Sequence, residues 1–427
     1  MDRRDSIMAD LNSRESGREI RDRFFEQYVD FYNGGSVPEN SSADFAYYLE
    51  CHRKRLDKQG IRAVKKIDRI EDNLDVIAPH DRPPYIINMT RKECNYETDY
   101  YKGDALLARS DKETEVLYCN ILDKADYQEE TISCPNCGHS AGAKTFINGC
   151  PMCGTRFKTF KSFPCVTSFY SLPKVYERSS INKGIKNVVA IGIGLGVLVA
   201  LGVFIFNLIS SGSVAAGLFF GIIAGLITGW LGTIIIYLSY SMFIATSTIS
   251  KMFAQTADTM DITAAKRTRN RLETDMSRYF SDFSYELFEG KIMSLLRAIM
   301  YSDDRQNLSI YKGPDNLDFM NDAVDVEYRG ACRYDGSTAL DGYLHVRMTA
   351  YTLCTIYVGD KLSKVQRAFR MELVKKIKPE EDYGFSVHAV NCPTCGSTFD
   401  AMHVNKCPNC GHEYHLVEDD WVVILLK

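Results

Sequence analysis

The sequence predicts an α+β fold built around a two-span helical hairpin, and three observations carry that prediction. Residues 187–250 contain no Asp, Glu, Lys, Arg or His. Beyond this run, apolar residues recur first at steps of three or four and then at steps of two, the marks of helix followed by strand. Four Cys-Pro-x-Cys-Gly knuckles stand in two pairs, one pair on each side of the run.

The hydrocarbon core of a bilayer takes about 20 apolar residues as helix, so 187–250 has room for two spans and a tight turn. The first span reads as 188–209, Ser210-Ser211-Gly212-Ser213 breaks it, and 214–245 supplies the second. Backbone groups in lipid must be satisfied internally, which a helical hairpin achieves. Gly217, Gly221, Gly225 and Gly229 recur every four residues, and Gly192, Gly196 and Ala200 repeat the spacing in the first span. Such small-residue stripes let helix backbones approach closely in lipid. The stripe's partner is left open between the other span and a second copy, in a homo-oligomer. Lys174, Arg178, Lys183 and Lys186 precede the hairpin, and Lys251, Lys266, Arg267, Arg269 and Arg271 follow it. The turn carries no charge, so the positive-inside rule puts both termini in the cytoplasm.

The rest of the composition fits a membrane-anchored, mostly soluble chain. With 427 residues there is room for two or three modules. A net charge of −4 and a pI near 6.1 offer no general pull toward nucleic acid. The charged start, Met1-Asp2-Arg3-Arg4-Asp5, lacks an apolar h-region, so no cleaved signal peptide is expected. Sequons at Asn40, Asn88 and Asn307 would be silent on the cytoplasmic side. Fourteen cysteines in a reducing compartment point to metal rather than to disulfides.

Residues 1–42 read as a polar segment with a short helix, whose apolar face is Phe24, Phe25, Tyr28 and Phe31 and whose stop is Asn33-Gly34-Gly35. Residues 43–130 read as a helical to mixed region. A helix is expected over 43–77, because Ile61, Val64, Ile67, Ile70, Leu74 and Ile77 fall at steps of three or four. Its apolar edge suits packing on its own domain or a short coiled-coil contact. Pro83-Pro84 and strand-like pieces at 85–88 and 116–122 follow.

Residues 131–170 carry the first metal motif. Cys134 and Cys137 form one knuckle, and Cys150 and Cys153 form a second after a gap of twelve residues. Pro fixes one turn residue, and Gly permits the left-handed backbone that aims N–H groups at the sulfurs. Two such knuckles bring four thiolates into the tetrahedral arrangement of a structural zinc ribbon, with no open position for a catalytic water. His139 is then a bystander. The segment 157–176 alternates aromatic and basic residues, which suits a bilayer interface or a strand completing the ribbon.

After the hairpin, 262–301 reads as one or two amphipathic helices with Gly290 as a break. Period-two strands are expected at 323–333, 342–358 and 365–377, with turns at Asp335-Gly336 and Gly359-Asp360. This 262–385 region is expected to be a sandwich of helices on a curved sheet. Residues 388–427 hold the second ribbon, ligated by Cys392, Cys395, Cys407 and Cys410, with Trp421 in an apolar tail. Two structural Zn2+ ions are therefore expected. Cys51, Cys94, Cys119, Cys165, Cys332 and Cys354 remain as reduced thiols in or near cores.

The stretch 262–427 resembles the Tim-forty-four-like domain, named after the mitochondrial import-motor tether, in its bacterial membrane-protein form. The resemblance lies in the helices, in Asp341-Gly342-Tyr343-Leu344-His345-Val346, in Ala368-Phe369-Arg370-Met371-Glu372-Leu373 and in Asp420-Trp421-Val422-Val423 behind the closing ribbon. The front ribbon, followed by Gly154-Thr155-Arg156-Phe157 and 164–170, looks like the same proteins. What the resemblance implies is a cone-shaped α+β domain with a curved antiparallel sheet, in the plasma membrane of a bacterium, working with protein partners.

The catalytic patterns of phosphate-binding loops, GxSxG hydrolases, HExxH metalloproteases and dinucleotide enzymes are absent from the sequence, and no enzyme activity is expected. The leading reading is a zinc-binding integral membrane protein that acts as a cytoplasm-facing scaffold or tether for a protein partner. The alternative is a membrane-anchored binder of lipid or another hydrophobic ligand in the α+β domain. Nucleic-acid binding by the ribbons ranks last, because Lys144 and Lys406 are the only basic residues in the two inter-knuckle loops.

Overall fold

Helix α1 (Arg3–Tyr32) stops where Asn33-Gly34-Gly35 stands and buries the expected face of Phe24, Phe25, Tyr28 and Phe31. A computed structural model describes residues 3–69, 75–82, 85–109, 114–124, 131–134, 136–146, 150–154, 163–173, 178–280, 283–305, 307–314, 316–358, 361–377, 389–392, 394–400, 404–418 and 420–427. Helix α2 (Ala43–Gln59) starts at Ser42, whose hydroxyl accepts the Phe45 N–H. It ends at Gly60, whose φ of 66° supplies the left-handed closing residue.

The helix expected to run on to Ile77 therefore stops at Gln59, and the chain continues as strands β1 (Ile61–Arg69) and β2 (Asp75–Arg82). Along β1, Ile61, Ala63 and Lys65 are buried while Arg62 and Lys66 are exposed, a period of two. A lysine in the core hides that period, and the spacing of Ile61, Val64 and Ile67 imitates a helix. Ile70, Leu74, Pro83-Pro84, Gly359-Asp360 and 155–162 lie outside the described residues.

Strand β3 (Tyr85–Lys102) is the spine of a six-stranded antiparallel sheet. Strands β2 and β1 pair along one of its edges; β4 (Ala105–Arg109) and β5 (Thr114–Lys124) pair along the other. Two short strands, β6 (Thr131–Ser133) and β7 (Ser140–Gly142), pair beside the first knuckle. Strand β8 (Cys165–Pro173) joins β5 as the sixth strand of the large sheet, so this segment completes the sheet rather than the ribbon.

Met1–Pro173 and Ile262–Lys427 form one compact unit, and Lys174–Asp261 form a second. The regions read separately as 43–130 and 262–385 thus share one body. The second unit contains α3 (Arg178–Ser211) and much of α4 (Val214–Met276). Val189–Ser210 and Val214–Ser239 are long and apolar enough to cross a membrane. The glycine stripe is used within this hairpin. A Cβ on Gly196 would lie 2.7 Å from the Gly225 carbonyl oxygen, and one on Gly221 would lie 2.9 Å from that of Ala200. Only small residues allow that approach.

In the first unit, the end of α4 buries Leu272 and Met276, and α5 (Tyr285–Tyr301) follows. Gly290 sits inside α5 and breaks nothing. Its missing side chain lets the helix lie on β8, because a Cβ there would be 2.7 Å from the Thr167 carbonyl oxygen. Strands β9 (Ala323–Leu340), β10 (Tyr343–Val358) and β11 (Lys361–Lys376) form the expected meander. The first turn is Asp341-Gly342, with φ of 51° and 81°, whereas Asp335-Gly336 lies at a register shift inside β9. Bulges of this kind curl long strands. The second ribbon carries β12 (Ala389–Asn391) and β13 (Thr398–Asp400), and β14 (Val422–Leu426) then pairs with β11 to complete a four-stranded sheet. The molecule is α+β. Cys51, Cys94, Cys119, Cys332 and Cys354 are buried, and Cys165 is half-buried.

A Gly→Ala change inside a helix ordinarily stabilises by about 1 kcal/mol. At Gly290 the sign reverses, because the added methyl overpacks a backbone contact. Gly290→Ala is expected to destabilise the protein by about 1–3 kcal/mol, read as a lower midpoint in denaturant unfolding.

Candidate metal centres and a buried charge cluster

Each ribbon is made of two identical turns. In the first, the Cys134 carbonyl accepts the Gly138 N–H at 2.9 Å and the Cys134 N–H donates to the His139 carbonyl at 2.7 Å. Gly154, Gly396 and Gly411 close the other three turns in the same way, and all four glycines have φ between 71° and 74°. That left-handed backbone is what the knuckle needs from glycine.

The turns bring the eight predicted cysteines into two sets of four. Within Cys134, Cys137, Cys150 and Cys153, and within Cys392, Cys395, Cys407 and Cys410, the sulfurs lie within 4.8 Å of one another. The Sγ–Sγ separations are 3.6 Å for Cys134–Cys153, 3.5 Å for Cys137–Cys150, 3.5 Å for Cys392–Cys410 and 3.7 Å for Cys395–Cys407. A tetrahedral ion with metal–sulfur bonds of about 2.3 Å requires an edge of about 3.8 Å, so both sets fit such an ion. In each set two cysteines are buried and two exposed. Ser397 adds a hydroxyl 2.9 Å from Cys395 Sγ and 3.2 Å from Cys407 Sγ, placed to support thiolate charge. Among the described residues the apolar support is slight: Phe146 beside the first set, Phe399 and Tyr414 beside the second.

A second constellation is not legible as a site in the sequence. Asp325 on β9 is buried and accepts hydrogen bonds from Tyr100 (2.8 Å), Tyr301 (3.0 Å), Lys65 (3.2 Å) and its neighbour's Val326 N–H (2.8 Å). The Lys65 ammonium also donates to Tyr96 at 3.1 Å and lies 4.7 Å from the centre of the Tyr32 ring. His52 Nε2–H donates to the Val324 carbonyl at 2.9 Å, leaving Nδ1 to accept from Tyr32 OH at 2.9 Å. This is the neutral tautomer. A cavity of about 30 Å³ beside these groups has room for a water molecule.

The electrostatics follow from burial and pairing. Burial alone would raise the Asp325 carboxyl, but Lys65, His52 and the Tyr100 hydrogen bond hold it well below the usual carboxylate range. Burial would lower the Lys65 ammonium, yet Asp325 and the surrounding tyrosines hold it well above its ordinary value. Burial pushes His52 down to about 4, against the opposing pull of Asp325. Both members of the ion pair therefore keep their charges across neutral pH, which suits a clamp rather than proton transfer. Lys65, His52, Tyr96 and Tyr100 precede the hairpin in sequence; Asp325, Tyr301 and Arg297 follow it. A second clamp repeats the device. Lys291 on α5 donates to Asp420 at 2.6 Å and Asp44 at 3.1 Å, and these carboxylates overcome burial to raise its ammonium.

Comparison of the chain with protein-family models, with curated proteins and with solved structures finds no match in any of the three.

Two outcomes are expected. The purified protein should hold two metal ions per chain, with Cys137→Ser and Cys395→Ser each removing one. Chelation should abolish hydrogen-exchange protection around both cysteine sets while the main sheets keep theirs, because the ribbons have little apolar core of their own. The second outcome concerns acid. His52 titrates near 6.5 when unfolded and near 4 when folded, so its contribution is whole above pH 6.5 and is lost as pH falls toward 4. The loss is up to about 3 kcal/mol, and His52→Gln should flatten the stability–pH slope over that window. Metal release on acidification is common to both proteins, so their difference isolates His52.

Proposed function

We propose that this chain is a zinc-binding integral membrane protein whose cytoplasmic body holds a protein partner at the membrane, as a scaffold or tether. The observation that carries this reading is the pairing of two four-cysteine sets with two helices apolar enough to span a bilayer, in a chain whose remaining residues form one compact unit. Zinc is the ion proposed, because four thiolates in a closed tetrahedron are its structural environment and leave no place for a reacting water. The flanking positive charges and the uncharged turn favour both termini on the cytoplasmic side. The resemblance to the Tim-forty-four-like domain supports a partner-holding role, and it rests on the motifs quoted above.

The knuckles offer a place for that partner. Met152 stands at the tip of one with 73% of its surface exposed, flanked by exposed Cys153. A flexible apolar side chain on a rigid metal-held turn suits a protein contact. The cavities described in the body are lined largely by charged and hydroxyl groups, which gives the lipid-binding alternative no support.

Crosslinking the full chain in its native membranes, followed by purification and mass spectrometry, tests the reading. A stoichiometric protein partner is expected, and it should be lost in Cys392→Ser. Retention of full partner binding by that variant would sink the zinc-dependent scaffold, and recovery of lipid alone would move the assignment to a hydrophobe-binding domain.

A further inference from the structure

A cavity of about 280 Å³ lies between β3, β4, β5 and β8 on one side and β9, β10 and β11 on the other. Its charged lining is mostly accounted for. Lys364 donates to both oxygens of Glu327 at 3.0 and 3.3 Å, and Arg109 grips both oxygens of Asp99 at 3.1 Å. Among the described residues, three polar atoms of the lining remain without a hydrogen-bond partner although shielded from solvent: Arg329 Nε, Thr355 Oγ1 and Glu115 Oε2. Thr355 is only 2% exposed.

Leaving such groups unmatched is costly, and more so for a charged group than for a neutral one. Three on the walls of one cavity mark a place built to hold something. The pairs Lys364–Glu327 and Arg109–Asp99 are each neutral, which leaves Arg329 and Glu115 as the charged groups of the described lining outside those pairs. Arg329 Nε and the Thr355 hydroxyl can each offer a hydrogen to an oxyanion, while the unpartnered Glu115 oxygen is an acceptor. The planar guanidinium is suited to a carboxylate. At about 280 Å³ the space falls just below the ~300–1,000 Å³ range of drug-sized sites, so the occupant is metabolite-sized.

We propose that this cavity binds a small organic carboxylate that also carries a hydrogen-bond donor, with Arg329 and Thr355 taking its oxygens and Glu115 accepting from that donor on the opposite sheet. Glu115 precedes the hairpin in sequence, while Arg329 and Thr355 follow it. The ligand would add to the contacts that join the two halves of the body, as Lys65–Asp325 does.

The test is titration calorimetry on the full-length protein in detergent micelles, with succinate, malate, citrate and inorganic phosphate as separate probes. At least one carboxylate is expected to bind saturably with one site per chain. Arg329→Gln should weaken it by about tenfold or more, the value of a charge-assisted hydrogen bond. Arg333→Gln is the control: Arg333 lies on the same strand but is engaged by Asp335 and Tyr351. Its affinity should equal that of the parent. Metal content and unfolding midpoint, unchanged in Arg329→Gln, would show that the variant is folded. No carboxylate binding at millimolar concentration, binding by phosphate alone, or undiminished affinity in a folded Arg329→Gln would overturn the proposal.

Discussion

The body of this protein depends on a buried ion pair. Lys65 and Asp325 are about 260 residues apart in sequence, yet their charged atoms are 3.2 Å apart inside a shell of tyrosines. Burying either charge alone would cost several kcal/mol, and removing one partner of such a pair typically costs about 3–5 kcal/mol. The pair is tolerable only because every neighbour contributes. Tyr100 and Tyr301 supply hydrogen bonds to the carboxylate, and Tyr96 and the Tyr32 ring attend the ammonium. The tyrosines answer the polar groups and still fill apolar volume, which leucine or valine could not do.

That interaction explains how one compact unit survives a long interruption. The chain leaves the unit at Pro173 and re-enters at Ile262. Closing a loop of that length costs only a few kcal/mol of entropy, since the cost grows with the logarithm of loop length. It must still be offset by contacts between the two segments. Helix α5 lying on β8 at Gly290, Lys291 held between Asp44 and Asp420, and Lys65 held by Asp325 are three independent sources of that offset. Each joins residues before the hairpin to residues after it. Each sheet is made of strands from one segment alone, so what the other segment supplies is the packing and ion pairing between them.

How much of this was legible in the sequence divides along physical lines. Local chemistry was readable: the apolar run, the knuckle turns, the helix stop at Asn33, the alternation of β9, β10 and β11, and the buried face of α1. Each is set by residues adjacent in sequence. What the sequence hides is decided at long range. Lys65 reads as a solvent-facing charge unless Asp325 is known to meet it, so β1 loses its alternation and reads as helix. Gly290 reads as a helix break, whereas its purpose is a close approach to β8. Asp335-Gly336 reads as a turn, yet the turn is one half-strand later at Asp341-Gly342, and the earlier glycine accommodates a register shift. The six-stranded sheet is masked because its strands are studded with charges that are paired across the fold. A signal was present in Gly60 followed by alternating Ile61, Ala63 and Lys65, and in the 25 tyrosines, an abundance suited to polar cores.

The cysteine sets and the ion pair answer the same problem at two scales. The body is large enough to bury charges and surround them with hydrogen-bonding aromatics. Among the described residues each ribbon has one buried aromatic, Phe146 or Phe399, and in place of such a core it has four cysteines placed to hold an ion. The C-terminal ribbon shows the division most plainly. Its knuckles carry the cysteines, but the chain beyond them runs into β14 on the edge of the four-stranded sheet, with Trp421 packed on Phe280 and Phe288. The ribbon is thus anchored at its exit by the body's packing, while its tips carry the cysteines placed to hold an ion. Losing the ion should free the knuckles without detaching the strand, and a surface presented by those knuckles can then be lost while the body stands.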